Sequence, residues 1–155
     1  MEELRCLLNS PGLRVSYDVS NGWLYAQWRG THDAASIKMH ADGIVTCLAA
    51  QPCAKILSDY SELTSSWYGM APWISGHYFD RLAALGVAYF AWVYTAGHYD
   101  RVALERACFL LSCPVVAIFS DVASAYDWLQ RCPSKASQLE WGQQKASPLA
   151  WGGLK

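Results

Sequence analysis

Three titratable side chains are placed where they could take part in proton transfer. Asp59 follows one short predicted strand, His98 follows the next, and Asp121 follows the last. In an open α/β sheet, groups at the carboxyl ends of parallel strands gather at one edge, where ligands commonly bind. Two carboxylates and an imidazole there could act as acid and base, or hold a metal ion. Asp121 is also suited to cap the next helix and Asp59 to close a turn, so we predict neither catalysis nor a metal site.

The usual catalytic and cofactor signatures are missing from the sequence. It contains no Gly-x-Ser-x-Gly elbow, no phosphate-binding glycine loop and no Gly-x-Gly-x-x-Gly motif. His32 and His40 lie eight residues apart, too far for a pair at i and i+4 on one helix face, so neither is predicted to bind a metal ion. The six cysteines form no Cys-x-x-Cys pair. We expect reduced thiols that behave as small apolar side chains, and no cofactor.

Large side chains are concentrated in one short segment that follows a predicted polar loop over residues 60–66. This segment contains more large side chains than one face of a helix needs for packing against the core. The remainder could form a surface for a protein partner, or line a groove for an apolar small molecule. The alternative is that all of them pack on the sheet. The predicted binding residues are Asp59, Tyr60, Ser66, Trp67, Tyr68, Met70 and Trp73.

The spacing of apolar residues predicts the elements that position these groups. Strands are predicted over residues 13–19, 23–28, 54–58, 87–95 and 115–119, and helices over 31–51, 72–85, 99–112 and 121–129. Asn21-Gly22 is typical of a tight hairpin between the first two strands. A hairpin followed by alternating strands and helices implies one α/β domain, over residues 1–132, whose mixed sheet is packed against helices.

Residues 133–155 form a separate tail that carries a ten-residue tandem repeat and is expected to be flexible. Lys135–Gly142 is echoed by Lys145–Gly152, with the same Lys, Ala, Ser, Leu, Trp and Gly at corresponding positions. The two Leu-x-Trp-Gly elements could be a peptide motif for a partner, or could fold back over an apolar edge of the domain. A neutral duplication with a frayed end is the third interpretation.

Composition excludes several classes of protein. Of the 155 residues, 53% are apolar and 16% are charged, which argues against a disordered chain. A net charge of −1 argues against a nucleic-acid-binding surface. The first residues lack a signal-peptide pattern, and the uncharged stretch over residues 82–97 is shorter than the roughly 20 residues that a membrane helix needs. We expect a cytoplasmic protein with neither membrane nor nucleic acid as a partner.

A set of short motifs runs from the first predicted hairpin to the last predicted helix. It comprises Gly22-Trp23-Leu24, Trp28-x-Gly30, Ile56-Leu57-Ser58-Asp59, Trp67, Trp73, Leu85-Gly86-Val87 and Ala125-x-x-Trp128-Leu129. In this set the chain resembles the bacterial STAS-like proteins, relatives of anti-sigma-factor antagonists, over roughly residues 13–130. The resemblance implies a compact α/β domain with a mixed sheet that binds protein partners and is not an enzyme.

The resemblance also implies a candidate phosphorylation site. In the antagonist family a serine within an Asp-Ser-Ser-Gly motif, after the third strand, is phosphorylated to switch partner binding. The matching stretch is Thr64-Ser65-Ser66-Trp67, which places Ser66 at the phosphorylated position but replaces the Asp by Thr64 and the Gly by Trp67. A phosphate near a helix N-terminus would be electrostatically favourable.

The sequence therefore predicts a binding and regulatory module that acts through protein contacts around residues 59–73. Two other hypotheses remain open: a carrier or sensor of an apolar small molecule, and an enzyme that uses Asp59, His98 and Asp121. The edges of the hairpin would also allow a homodimer, which no residue pattern specifies.

Overall fold

Six strands form one mixed sheet in the computed structural model, which describes residues 3–65, 68–94, 98–109 and 111–133. The strands lie side by side in chain order, antiparallel from β1 to β3 and parallel from β3 to β6. They are β1 (Leu4–Asn9), β2 (Leu13–Asp18), β3 (Trp23–Gly30), β4 (Lys55–Leu63), β5 (Tyr89–Val93) and β6 (Val115–Phe119). The predicted α/β class and mixed sheet are confirmed.

The helices cover both faces of this sheet unequally. They are α1 (Ala34–Ala50), α2 (Ala71–Trp73), α3 (Phe79–Ala84), α4 (His98–Phe109) and α5 (Val122–Arg131), and a π-helical turn (Ile74–Tyr78) joins α2 to α3. Residues of α1 to α4 share one core cluster, whereas α5 contributes to a second cluster. Right-handed crossovers between sequential parallel strands place the connecting helices on one face. Among the described helices, α5, which follows the last strand, is the one that covers the other face.

Alternation along the strands sorts side chains between the two cores. Leu24, Trp28 and Trp92 belong to the first core, under α1 to α4. Tyr25 and Leu57, which fall at the opposite parity, belong to the second core under α5. Both faces of the central strands are therefore buried.

The first strand, β1, is missing from the elements predicted by the sequence. It pairs with β2, but its register shifts between Cys6 and Leu8, and its residues are exposed or only half-buried. A bulge breaks the two-residue period on which strand prediction depends. The predicted hairpin is consequently the inner pair of a three-stranded antiparallel unit.

Two predicted boundaries are wrong for identifiable reasons. The helix predicted from residue 31 begins at Ala34, and its cap is Asp33, whose Oδ1 accepts from the Ser36 backbone N–H at 2.8 Å. The predicted polar loop over residues 60–66 is largely strand, because β4 pairs with β3 as far as Gly30 and Leu63. The polar residues near the end of β4 indicate a loop in the sequence, but their backbone continues the hydrogen-bonded pairing with β3. Among the described residues, no helix has the length and apolar character needed to cross a bilayer.

Candidate functional site

Asp59 lies inside β4 rather than at the edge of the sheet. It is buried on the α5 face, where its Oδ2 accepts from the Tyr25 hydroxyl at 3.1 Å and its Oδ1 accepts from the Ser61 backbone N–H at 2.9 Å. Burial, together with the Asp59 charge, raises the pKa of Tyr25 well above its usual value, so the phenol remains a donor. The pair acts as a fixed buried link between β3 and β4.

The other two members of the predicted acid–base group have different surroundings. Asp121 caps α5: its Oδ1 accepts from the Ser124 backbone N–H at 2.8 Å, and its Oδ2 accepts from the Ser124 hydroxyl at 3.0 Å. His98 is the first residue of α4, and its side chain lies outside the described part of the chain. Within the described ranges, no group of three or more His, Cys, Asp or Glu residues could hold a metal ion. The structure gives Asp59 and Asp121 separate hydrogen-bonding roles.

The predicted binding residues divide between the core and the surface. Tyr60 is buried, and its ring packs edge-on against Trp28 at 5.6 Å and Trp92 at 5.1 Å between centroids. Met70 and Trp73 are half-buried and pack against the same core. Ser66, Trp67 and the side chain of Tyr68 lie outside the described residues. Burial removes Tyr60 from contact with a partner, and leaves Trp73 within reach of one.

Trp73 lies at the centre of an accessible seam between two helical segments, called here the Trp73 surface and made of Lys38, Asp42, Trp73, His77 and Arg81. The Lys38 ammonium lies 5.7 Å from the centre of the Trp73 ring, and the His77 ring lies 5.6 Å from it. Arg81 forms an ion pair with Asp42. Trp73, His77 and Arg81 follow one another at intervals of four residues on one helical segment. They face Lys38 and Asp42, which lie four residues apart on α1. The seam therefore combines an aromatic ring with cationic groups.

A second group, which sequence spacing led us to reject, joins His32, Ser36 and His40. The two imidazole rings lie 4.8 Å apart between centroids, although eight residues separate them. Ser36 lies midway, so that each step is i+4 on the α1 side. The Ser36 hydroxyl is 2.6 Å from His32 Nδ1 and 3.3 Å from His40 Nδ1. The prediction that the spacing keeps the histidines apart is wrong.

The hydrogen bonds of His32 define what this group does. Nε2 faces the carbonyl oxygens of Arg29 at 2.9 Å and Gly12 at 3.2 Å, and therefore carries the proton. In the neutral ring, Nδ1 accepts from the Ser36 hydroxyl. Both nitrogens are occupied, so His32 ties together β3, α1 and the turn that contains Gly12.

The same group holds the start of the connection that leads to the predicted phosphorylation site. The His32 backbone N–H donates to the Ser65 hydroxyl at 2.9 Å, and the hydroxyls of Thr31 and Thr64 lie 2.8 Å apart. Ser66, the next residue, lies outside the described part of the chain. The end of β4 is thus anchored to the residues that precede α1.

A groove of about 400 Å³ opens between α4 and β6, at the edge of the sheet. Its lining includes Glu105, Cys108, Leu111, Val116 and Ile118, and also Phe109, which is 84% exposed. Burial raises the pKa of the Cys108 thiol to about 11, which keeps it protonated at neutral pH. The groove is therefore open to solvent and mainly apolar, with the Glu105 carboxylate in its lining, and none of the predicted binding residues lines it.

Comparison with known proteins supports the fold rather than a specific activity. No protein-family model and no curated protein matches the sequence. The structure of the anti-sigma factor antagonist SpoIIAA in its unphosphorylated form matches with a TM-score of 0.51 and 10% sequence identity, over 85% of this chain and 100% of that one. An uncharacterized protein of the DUF3478 family from Shewanella loihica PV-4, with a SpoIIAA-like fold, matches with a TM-score of 0.52 and 18% identity, over 79% of this chain and 98% of that one. The chain has a STAS-like fold.

Proposed function

We propose that this chain is a cytoplasmic regulatory module that binds a protein partner through the Trp73 surface and does not catalyse a reaction. The observation that carries the proposal is the half-buried Trp73 ring beneath the Lys38 ammonium, on a fold shared with an anti-sigma factor antagonist. That relative is named for its action against another protein. The enzyme hypothesis loses support because Asp59 and Asp121 are each engaged in structural hydrogen bonds.

The chemistry of the Trp73 surface indicates what the partner presents. Tryptophan and arginine are over-represented among residues that dominate binding energy at interfaces. Here the Trp73 ring is held between Lys38 and His77, so little side-chain freedom is lost on binding. Within the described part of the chain, Lys38 forms no ion pair, whereas Arg81 is paired with Asp42. A complementary partner would place an acidic side chain beside an apolar one.

Ser66 remains our proposed regulatory position. It follows Ser65, which is anchored to the His32 backbone, and is seven residues before Trp73. A phosphate there would add negative charge to the segment of the chain that leads to Trp73. Modification of Ser66 would therefore change the attraction between the Trp73 surface and an acidic partner.

Affinity capture from the native cells tests the proposal with a matched pair of charge reversals. Lys38→Glu alters the Trp73 surface, and Arg14→Glu makes the same change at an exposed position on β2. We expect one protein to be retained by the unaltered chain and by Arg14→Glu, and lost with Lys38→Glu. Equal retention by all three chains, or retention of no protein, would contradict the proposal.

A carrier of an apolar small molecule is the second candidate, and the α4–β6 groove favours it. Its volume of about 400 Å³ falls within the range of ligand pockets, roughly 300–1,000 Å³. Native and denaturing mass spectra of the protein from its own cells distinguish the candidates. Extra mass that disappears on denaturation would support a carrier. The native spectrum also gives the oligomeric state, and the edge strands β1 and β6 would allow a homodimer.

A further inference from the structure

The α4–β6 groove has an apolar rim that the proposed function does not use. Phe109 and Val115, which both belong to its lining, are 84% and 47% exposed. β6 is the last strand of the sheet, so its outer edge has no neighbouring strand within the described residues. An exposed apolar edge of this kind promotes association unless it is covered.

The end of α5 places the remaining chain close to this edge. The Lys55 ammonium donates to the carbonyl oxygens of Leu129 at 2.7 Å and Cys132 at 2.9 Å, which fixes the end of α5 at the start of β4. In the parallel ladder, Lys55 pairs with Tyr89, and Tyr89 pairs with Val115. Measured across the strands, the end of α5 therefore lies two strand spacings, about 10 Å, from β6. It lies on the face that α5 covers, so the tail must pass round the edge of β6 to reach the groove on the α4 face.

The length and composition of the tail suit this position. Residues 134–155 contain Leu139-Glu140-Trp141-Gly142 and its second copy, Leu149-Ala150-Trp151-Gly152. Seven residues from Cys132 to Leu139 can span up to about 24 Å, which exceeds the two strand spacings and leaves length for the passage round the edge of β6. Closing the shorter loop to the first copy is favoured about fourfold over closing the longer loop to the second.

We propose that the first repeat of the tail, residues 139–142, binds in the α4–β6 groove of the same chain. Leu139 and Trp141 supply apolar side chains for a site lined by Leu111, Val116 and Ile118 and bordered by Phe109. The contact lies beside the edge of β6. The second repeat then extends past the groove as a free copy of the same element.

Hydrogen exchange of the full-length chain, read by mass spectrometry on peptides from residues 134–155, tests this site. We expect the amides of residues 139–142 to exchange about tenfold more slowly than in a free peptide of the same sequence. Phe109→Lys should abolish the protection, since Phe109 is exposed and its replacement leaves the core intact. Met39→Lys, at another exposed apolar position, on α1, should leave it unchanged.

The repeat supplies its own matched pair of variants. Trp141→Ala should remove the protection and Trp151→Ala should retain it. Exchange at the free-peptide rate in the unaltered chain, or protection that survives Phe109→Lys, would overturn the proposal. Protection that depends on Trp151 alone would also overturn it. So would protection that is lost on dilution, because the groove would then belong to a second copy of the chain. A small molecule that is released from the groove on denaturation would likewise overturn it.

Discussion

The His32 group shows how one buried side chain can fix several segments at once. Its ring contacts the carbonyl oxygens of Arg29 and Gly12 and the Ser36 hydroxyl, and its backbone N–H holds Ser65. Each of these bonds joins a different part of the chain. The N-terminal end of α1 and the end of β4 are consequently positioned by hydrogen bonds as well as by packing.

Replacing Gly12 by alanine tests the tightness of this group. A Cβ at Gly12 would lie 2.7 Å from His32 Cε1 and 3.1 Å from His40 Nε2, so the rings must shift and their hydrogen bonds weaken. We expect Gly12→Ala to lower the free energy of unfolding by about 1–3 kcal/mol, measured by urea denaturation. Gly76→Ala is the control: nothing lies within 4 Å of its Cβ, and the residue is helical. It should raise stability by roughly 0.5–1 kcal/mol. Equal effects would contradict this account.

Tyr78 gives a second prediction, because its ring is well packed and its hydroxyl is not paired. The side chain is buried between Phe79 and Phe90, and the hydroxyl has no hydrogen-bond partner among the described residues. We expect Tyr78→Phe to leave the free energy of unfolding at pH 7 unchanged or to raise it by about 1 kcal/mol, since an unpaired buried hydroxyl is removed. A loss above about 1 kcal/mol would contradict this reading.

The pH dependence of the same variant provides an independent check. Burial raises the pKa of Tyr78 and of Tyr60 above the usual value. Above pH 10 the unfolded chain loses these protons and the folded chain keeps them, so stability falls as pH rises. Each tyrosine contributes a slope that is about 0.7 kcal/mol per pH unit at pH 10 and approaches about 1.4 kcal/mol per pH unit above pH 11. In urea denaturation between pH 9 and pH 11, Tyr78→Phe should show a shallower fall than the unaltered chain.

At the scale of the elements, prediction succeeded where a signal is local. The limits of β6 match those predicted, Asp121 caps α5 as expected, and Gly86 ends α3 with a φ of +96°. Prediction failed where pairing overrides the local pattern. The bulge in β1 hides its period, and residues 60–63 join the sheet through β3 despite their polarity.

The role of Asp121 can be separated from catalysis by a conservative pair of variants. Asparagine also caps helices well, whereas alanine cannot accept the Ser124 N–H bond. We expect Asp121→Ala to lower the free energy of unfolding by about 1 kcal/mol and Asp121→Asn to have a small effect. Thermal and urea denaturation would measure both. An equal loss for the two variants would show that the carboxylate charge, rather than the cap, is what matters.

The candidate site was less predictable than the fold. Asp59 was expected at a strand end, but the longer β4 places it inside the sheet with Tyr25. The sequence signal for the histidine group is Ser36, which lies four residues after His32 and four residues before His40 and bridges the two rings. The Trp73 surface depends on how α1 lies against the α2–α3 segment, which no spacing within one helix specifies.

At the scale of the whole molecule, the two faces of the sheet have different covers. Of the helices that the structure describes, α1 to α4 lie on one face and α5 covers the other. The Trp73 surface lies on the face covered by α1 to α4, and the α4–β6 groove lies at the edge of the sheet on that face. A partner and the chain's own tail can therefore occupy separate positions, which lets the two proposals be tested independently.

Site-specific photo-crosslinking in the native cells tests the central claim most directly. A photoreactive phenylalanine analogue replaces the exposed His77 on the Trp73 surface, and in a separate chain the exposed Arg14 on β2. The account predicts a discrete crosslink to one protein from position 77 that is absent from position 14 and is weakened by Lys38→Glu. Crosslinks of equal intensity from both positions, or from position 14 alone, would contradict it.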